Sequence, residues 1–111
     1  MIVFTNFKAL DNITAPAESE IKANTEGEIL TVEVIGSASS LTLNVMGVVD
    51  FKNEEYISLA GIDLNSMSLV TSVSKPGIYQ FPLDGIGRYK IAVPALSGGN
   101  LTVFCRVSKG V

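Results

Sequence analysis

The sequence predicts an all-β protein: an antiparallel β-sandwich, jelly-roll-like, of about eight strands. Apolar and polar residues alternate with a period of two in several separate runs. Turn residues separate these runs at intervals of about ten residues, and no stretch shows a convincing helical period. The last third of the chain is the clearest part, because residues 76–81, 88–93 and 100–107 alternate and turns at 84–87 and 97–100 separate them. These three runs predict a meander.

The N-terminal residues 1–16 predict an edge strand followed by an arm. Residues 2–7 are β-prone, and residues 11–16 are polar and end in Pro16, which cannot donate a ladder hydrogen bond. Residues 18–24 alternate only weakly, so both a strand and a short helical turn are open, and a strand is favoured. No linker divides the chain, and residues 1–111 therefore predict a single β-sandwich domain.

The middle of the chain predicts a hairpin and two further strands. In residues 29–35 the apolar face is Leu30, Val32 and Val34, and in residues 41–46 it is Leu41, Leu43 and Val45. A Gly-Ser loop joins these runs, which predicts that they pair. Residues 56–64 return to period two, with Gly61 as a candidate bulge position. Residues 67–73 place Met67, Leu69 and Val73 on one face.

The apolar phases of these strands predict the core. In the last third, Tyr89 and its period-two neighbours share one face, and the alternation from Leu101 to Val107 predicts another. The predicted core residues are Leu43, Val45, Ile57, Leu59, Ile91, Val93, Leu101 and Val103.

Composition narrows the classes of function. With 111 residues the chain can bury about two thirds of its unfolded surface without metals or disulfides. A net charge of -3 with scattered basic residues argues against nucleic acid, and no apolar run approaches the roughly 20 residues of a membrane span. No export signal is visible. Because 47% of the residues are hydrophobic and only 17% are charged, some apolar surface is expected to meet a partner.

The sequence predicts no enzyme: no catalytic, cofactor-binding or metal-binding residues and no cofactor. Histidine is absent, which removes the commonest general base and metal ligand. The single cysteine, Cys105, lies in the apolar phase of its strand and is predicted to be a buried hydrophobe. The cluster Asp50, Asn53, Glu54 and Glu55 lacks the ligand spacing and the glycine of a calcium loop. The Gly85-Ile86-Gly87 segment is interpreted as a turn and not as a phosphate loop.

The tyrosines and two asparagines leave alternatives open. Tyr56, Tyr79 and Tyr89 form a sugar-binding platform if they are exposed together, whereas the simpler interpretation is rings packed in the fold with their hydroxyls at the rim. Asn12 and Asn100 each begin a glycosylation sequon, which is interpreted as a chance match because no secretory signal accompanies it.

The order of features from about residue 20 to residue 107 resembles that of small β-sandwich proteins from tailed bacteriophages. These features are an isoleucine-rich strand, a Gly-Ser loop, Leu-Thr-Leu-Asn-Val, Tyr-Ile-Ser-Leu-Ala-Gly-Ile-Asp-Leu, Pro-Gly-Ile-Tyr, Gly-Arg-Tyr-Lys-Ile-Ala-Val and Ser-Gly-Gly-Asn-Leu-Thr-Val. The resemblance implies a fold similar to the shoulder domain of siphophage receptor-binding proteins. That family supplies no catalytic residues.

The resemblance implies a non-enzymatic virion protein assembled in the host cytoplasm, an accessory part of the tail tip or baseplate. A capsid decoration protein and a carbohydrate-binding module remain as alternatives. The expected partners are other tail proteins and further copies of the chain in a closed homo-oligomer, with a trimer as the expected form. Residues 2–7 are the expected contributors, since their apolar residues exceed what one face of an edge strand buries. Nucleic acid and membrane are not expected as partners, and a cell-surface glycan stays open.

Overall fold

The computed structural model describes residues 2–25, 27–50 and 52–110. Within these ranges all regular structure is β-strand, and no helix long and apolar enough to cross a membrane occurs. The strands are β1 (Ile2–Ile13), β2 (Ala17–Glu18), β3 (Lys22–Ala23), β4 (Ile29–Ile35), β5 (Ser40–Val48), β6 (Ile57–Ser58), β7 (Gly61–Asp63), β8 (Ser68–Val70), β9 (Gly77–Pro82), β10 (Arg88–Ser97) and β11 (Leu101–Gly110).

The strands form two antiparallel sheets that pack as a sandwich. The six-stranded sheet has the order β1-β11-β4-β9-β7-β8, and the other has the order β2-β10-β5-β6, with β3 also pairing with β10. The predicted fold class is confirmed. The described strands number 11 instead of about eight, and two of the predicted runs, 18–24 and 56–64, each correspond to two short strands.

The core lies between the sheets and is made by the predicted apolar phases of the long strands. Six of the eight predicted core residues are buried, and Leu59 is partly buried against them. The prediction for Ile57 is wrong, because 68% of its surface is exposed on the short strand β6. The largest fully buried side chains are Tyr79, Phe81, Leu30, Leu43, Leu83, Ile91 and Leu101.

Two predicted strand pairings are wrong, although the strands themselves exist. The strands β4 and β5 lie in different sheets, so they form no hairpin. The strands β9, β10 and β11 alternate between the sheets, so they form no meander. The loops that join these strands cross over the end of the sandwich from one sheet to the other. The loop between β4 and β5 passes through Gly36, which has a positive φ of 144° and no side chain and therefore lies against the backbone of Asn100.

The region between β5 and β9 also departs from the prediction. Residues 56–64 do not make one strand, because the chain leaves one sheet after β6 and enters the other at β7. Residues 67–73 do not present one apolar face: Met67 and Leu69 are 72% and 81% exposed, while Val73 is buried and bridges to Leu43. At Gly61 an added Cβ would lie 2.5 Å from the Phe81 ring, so glycine permits a close approach there and no bulge is required.

Strand β1 extends further than the predicted edge strand. It pairs with β11 over its whole length, and register shifts between Lys8 and Leu10 and between Leu10 and Ile13 carry the strand through the predicted polar arm. At the second shift Asn12 has a φ of 49°, and its N–H donates to the Thr102 hydroxyl at 2.9 Å. A comparable shift in β10, between Ala92 and Ala95, contains Pro94, which has no N–H for the ladder.

Candidate interaction surfaces

The most distinctive surface is the free side of β1. Among the described strands, β2, β3 and β6 have two residues each and β8 has three, so these leave little open backbone at the sheet borders. Strand β1 has 12 residues, forms the border of the six-stranded sheet, and pairs only with β11. An open strand of this length presents a row of N–H and C=O groups that a further strand can bind.

The two halves of β1 differ in how they are protected. The half from Lys8 to Ile13 carries a charge at Lys8, another at Asp11 and both register shifts, which are devices that keep edge strands from pairing. The half from Val3 to Phe7 carries no charge and no proline, and its register with β11 is regular. Val3 and Phe4 are 45% and 52% exposed. The open pairing site is therefore the first half of the strand.

A groove of about 310 Å³ runs beside this half, between β1 and β3. Its apolar wall includes Val3, Phe7 and Tyr89, and the two rings lie with their centroids 6.5 Å apart. The ammonium group of Lys22 lies 4.7 Å from the centre of the Phe7 ring, and Lys109 also lines the groove. The groove thus combines an apolar floor with cationic side chains, a combination that suits an apolar group with a nearby negative charge.

One asparagine fixes the wall of the groove opposite β1. The amide nitrogen of Asn24 donates to the carbonyl oxygens of Gly27, Leu83 and Ile86 at 3.2, 3.0 and 2.9 Å. Its carbonyl oxygen accepts from the Gly27 N–H at 2.9 Å. The side chain therefore ties the turn before β4 to the turn before β10. This turn-to-turn link is a role that the sequence pattern did not reveal.

The outer face beside β1 places two cationic side chains against aromatic rings, and Lys8 also lies 3.6 Å from the Asp11 carboxylate. The guanidinium of Arg106 lies 4.1 Å from the Phe4 ring centre, and its Nε donates to the Asn6 carbonyl oxygen at 2.7 Å. The ammonium group of Lys8 lies 5.4 Å from the Phe104 ring centre. Strands β1 and β11 together contain three basic residues and one acidic residue. We call the first half of β1, with Lys22, Arg106 and Lys109 beside it, the β1 edge.

The region around the border strand β6 is acidic. Residues 50–58 contain three acidic residues, Asp50, Glu54 and Glu55, and one basic residue, Lys52. Ile57 in the border strand β6 is 68% exposed, and Val49 is 72% exposed. We call Val49, Asp50 and residues 52–58 the acidic edge. The β1 edge and the acidic edge therefore have opposite charge and similar apolar content.

The loop of the acidic edge uses its oxygens locally. The carboxylate of Asp50 accepts from the Lys52 N–H at 2.9 Å, and the carbonyl oxygen of Asn53 accepts from the Glu55 N–H at 2.9 Å. In the described part of the chain, no three acidic or cysteine side chains come together in a way that could hold a metal ion. The side-chain oxygens of Asp50 and Asn53, which belong to the candidate calcium loop, therefore stabilise turns.

The three tyrosines do not form a shared platform. Tyr79 and Tyr89 are buried, and the Tyr79 hydroxyl donates to the Lys75 carbonyl oxygen at 2.7 Å. Burial, with a smaller contribution from Cys105, raises the pKa of Tyr89 to about 12. Tyr56 is half-buried under the ammonium group of Lys90, 4.9 Å from the ring centre. The packed interpretation is therefore correct for Tyr79 and Tyr89.

Cys105 is buried and unpaired, as its position in the alternation predicts. Desolvation raises the pKa of its thiol to about 12, and the nearby Lys22 only partly opposes this effect. A thiol with such a pKa is almost entirely protonated at neutral pH and is a poor nucleophile.

The two sequon asparagines bind each other. The Asn100 amide donates to the Asn12 carbonyl oxygen at 2.8 Å, and the Asn100 carbonyl oxygen accepts from both the N–H and the hydroxyl of Ser37. Both side chains thus help to hold the loops at one end of the sandwich. The Gly85 segment is a turn, in which the Ile86 N–H donates to the Leu83 carbonyl oxygen at 2.9 Å.

The fold matches two solved structures over nearly the whole chain. The SPBc2 prophage-derived protein YomS has a TM-score of 0.87 and 24% sequence identity, over 98% of this chain and 96% of YomS. The PBSX exported protein XepA has a TM-score of 0.89 and 16% identity, over 97% of this chain but only 38% of XepA. No family model and no curated protein matches the chain. At these identities the likeness shows a shared fold.

Proposed function

We propose that this chain is a non-enzymatic structural protein of a bacteriophage particle, located at the tail tip or baseplate. The observation that carries the proposal is the two-way match with YomS, in which both chains are covered almost completely by one fold from a phage-derived protein. The second neighbour, XepA, is also phage-derived and contains the same fold as part of a longer chain. A fold that serves both alone and as a module suits a building block of a larger assembly.

The state of the reactive side chains supports a structural role. The one thiol is buried and protonated, and two of the three tyrosine hydroxyls lie on buried residues. Among the described residues the one buried carboxylate is that of Asp63, which accepts the Asn65 N–H at 2.9 Å and so caps a turn. Tyr89, Cys105 and Asp63 lie at three different grooves of the described surface, so these groups are not gathered at one site where a substrate would meet them.

Assembly is the activity that the surface favours. Natural proteins often cover apolar surface and open strand edges by association. This chain has few charged residues and an open, uncharged half-strand. The proposed assembly is a closed homo-oligomer, with a trimer as the expected form, and each contact is expected to bury at least about 1,000 Å². Other tail proteins are the proposed further partners.

Labelling of intact particles tests the proposed location. An antibody raised against the purified protein is applied to purified particles and detected with gold in the electron microscope, with particles from a strain lacking the gene as the control. Gold at the tail tip is the expected result. Gold on the capsid would replace the tail location with capsid decoration.

Two further outcomes would contradict the virion proposal. Protein found only in the medium around unlabelled particles would place it outside the virion. Specific binding on a glycan array, lost on replacing Tyr56, would favour the carbohydrate-binding alternative, because Tyr56 is the one tyrosine of the three that is not fully buried.

A further inference from the structure

We propose that copies of this chain associate head to tail, with the β1 edge of one copy bound to the acidic edge of the next. This inference rests on the proposed homo-oligomer and names the two surfaces that form its contact. A contact between two different surfaces leaves one of each free on every pair, so copies continue to add until a ring closes, or form an open filament if the rotation between copies does not close.

The first argument is the position of the two edges. Strand β1 lies at one border of the six-stranded sheet, and the groove that it shares with Lys22 places it beside β3 of the other sheet. Strand β6 lies at the far border of that other sheet, and the chain passes from it directly to β7 and β8 at the far border of the six-stranded sheet. The β1 edge and the acidic edge are therefore two separate surfaces at different borders of the sheets, and a head-to-tail contact requires two such different surfaces.

The second argument is charge. The β1 edge has three basic side chains, Lys22, Arg106 and Lys109, although Lys22 also lies 3.9 Å from the Glu20 carboxylate. In the next copy this edge would face segment 50–58, which has three acidic residues and one basic residue. Opposite charges attract across such a contact, whereas two β1 edges placed together would bring Arg106 of both copies close to one another. Charge thus favours the head-to-tail contact over a symmetric β1–β1 pair.

The third argument is what each edge leaves uncovered. The β1 edge exposes Val3, Phe4 and the open backbone of a regular strand. The acidic edge exposes Ile57 in a border strand that pairs only with β5. Placing residues 55–58 along Val3–Phe7 would satisfy open backbone groups on both strands and bury apolar side chains from both copies. Glu54 and Glu55 would then approach the cationic side of the groove, where Lys22 lies.

Two variants, each damaging one edge, test this contact. The first is the double substitution Val3→Asp and Phe4→Asp, and the second is Glu55→Lys and Ile57→Lys. All four side chains are exposed, so both variants are expected to fold, which far-UV circular dichroism and thermal melting check. A matched control is Ile29→Asp with Ile35→Asp, which changes two exposed residues of the central strand β4.

The masses of the variants, alone and mixed, decide the proposal. By light scattering after size exclusion, the wild type and the control are expected to share one oligomeric mass, and each edge variant alone is expected near 11.8 kDa. An equimolar mixture of the two edge variants is expected at twice that mass, because the intact acidic edge of the first binds the intact β1 edge of the second. The pair then stops growing, since both of its remaining edges are damaged.

Several results would overturn the proposal. A wild type that stays at 11.8 kDa at high micromolar concentration excludes the contact. An edge variant that keeps the wild-type mass also excludes the contact. A β1–β1 dimer, for example, predicts that the acidic-edge variant keeps the wild-type mass. A mixture that remains monomeric also excludes it. None of these results affects gold labelling of the tail, so failure of this contact is distinct from failure of the virion proposal.

Discussion

The long strands and the short strands of this sandwich use the same sequence pattern with different results. In the long-strand region, which is β4, β9, β10 and β11, alternating apolar residues are buried: Leu30, Val32 and Val34 have no exposed surface. In the short-strand region, residues 52–73, the pattern also alternates, yet Ile57, Met67 and Leu69 are among the most exposed large apolar residues described.

The difference shows that alternation predicts a buried face only where a strand stays in one sheet. Strand β4 runs between β11 and β9 for seven residues, so each second side chain meets the opposite sheet. After β6 the chain crosses from one sheet to the other, so the alternating apolar residues of this segment do not all face the core. The first consequence is a difference in stability between chemically identical substitutions.

Replacing one isoleucine in each region gives the largest expected difference. Ile91→Ala is expected to lower the free energy of unfolding by about 2–5 kcal/mol, because Ile91 is 1% exposed and its loss leaves a cavity. Ile57→Ala is expected to change it by less than about 0.5 kcal/mol in dilute solution, because Ile57 is 68% exposed. Urea unfolding at low protein concentration measures both. Similar losses would mean that the two regions do not differ.

The crossing between sheets depends on Gly61. In Gly61→Ala the new Cβ would lie 2.5 Å from the Phe81 ring and 2.6 Å from the Gln80 carbonyl oxygen. Because both neighbours are held in the long-strand region, the expected loss is about 1–3 kcal/mol. The adjacent exposed Ala60, replaced by serine, serves as the control and is expected to cost little. Wild-type stability in Gly61→Ala would show that the crossing has room to adjust.

An asparagine that links the turns beside the long strands is expected to matter more than one in the short-strand region. Asn24→Ala is expected to cost about 1–3 kcal/mol, since it leaves three carbonyl oxygens without their side-chain donor. Asn53→Ala removes one exposed hydrogen bond to the Glu55 N–H and is expected to cost less than about 0.5 kcal/mol. Thermal melting of both variants makes the comparison. A larger loss for Asn53→Ala would contradict it.

High pH is expected to weaken the protein through its buried side chains. The pKa values of Cys105 and Tyr89 rise from 9.0 and 10.0 to about 12 on folding, so at alkaline pH the unfolded chain loses these protons first. The melting temperature should be unaffected by these groups below about pH 9 and should fall between about pH 9 and 12. In Cys105→Ala the fall should begin about one pH unit later, as expected for Tyr89 alone. An undiminished melting temperature at pH 11 would contradict this.

The sequence predicts the strands of this fold better than their partners. Period-two alternation identifies β4, β5, β9, β10 and β11 because burial on one face is a local property of each strand. Pairing depends on where each connection travels. The loop through Gly36 has the composition of a hairpin turn, but it crosses to the other sheet, and only the positions of Asn100 and Ser37 reveal this.

The candidate surface was only half visible in the sequence. The uncharged run 2–7 marks β1 as an open edge, and that signal is local. From the sequence, the acidic edge shows only the oxygen-rich composition of a loop, because its position relative to β1 follows from the order of strands in both sheets. Counting charge by strand would have shown the opposite signs, but not that the two segments lie at different borders of the sheets.

Hydrogen exchange at two protein concentrations is the most direct test of the central claim. The claim is that the long strands form a stable core and that the β1 edge and the acidic edge bind each other in the assembly. Amides of β4, β10 and β11 are expected to exchange slowly at both concentrations, because they lie in paired strands of the core. The amides of Val3–Phe7 that point away from β11, and the amides of residues 52–58, are expected to exchange quickly when the protein is dilute and to slow together when it is concentrated. Exchange that is independent of concentration in both segments, or slowing confined to the exposed face of β4, would contradict the account.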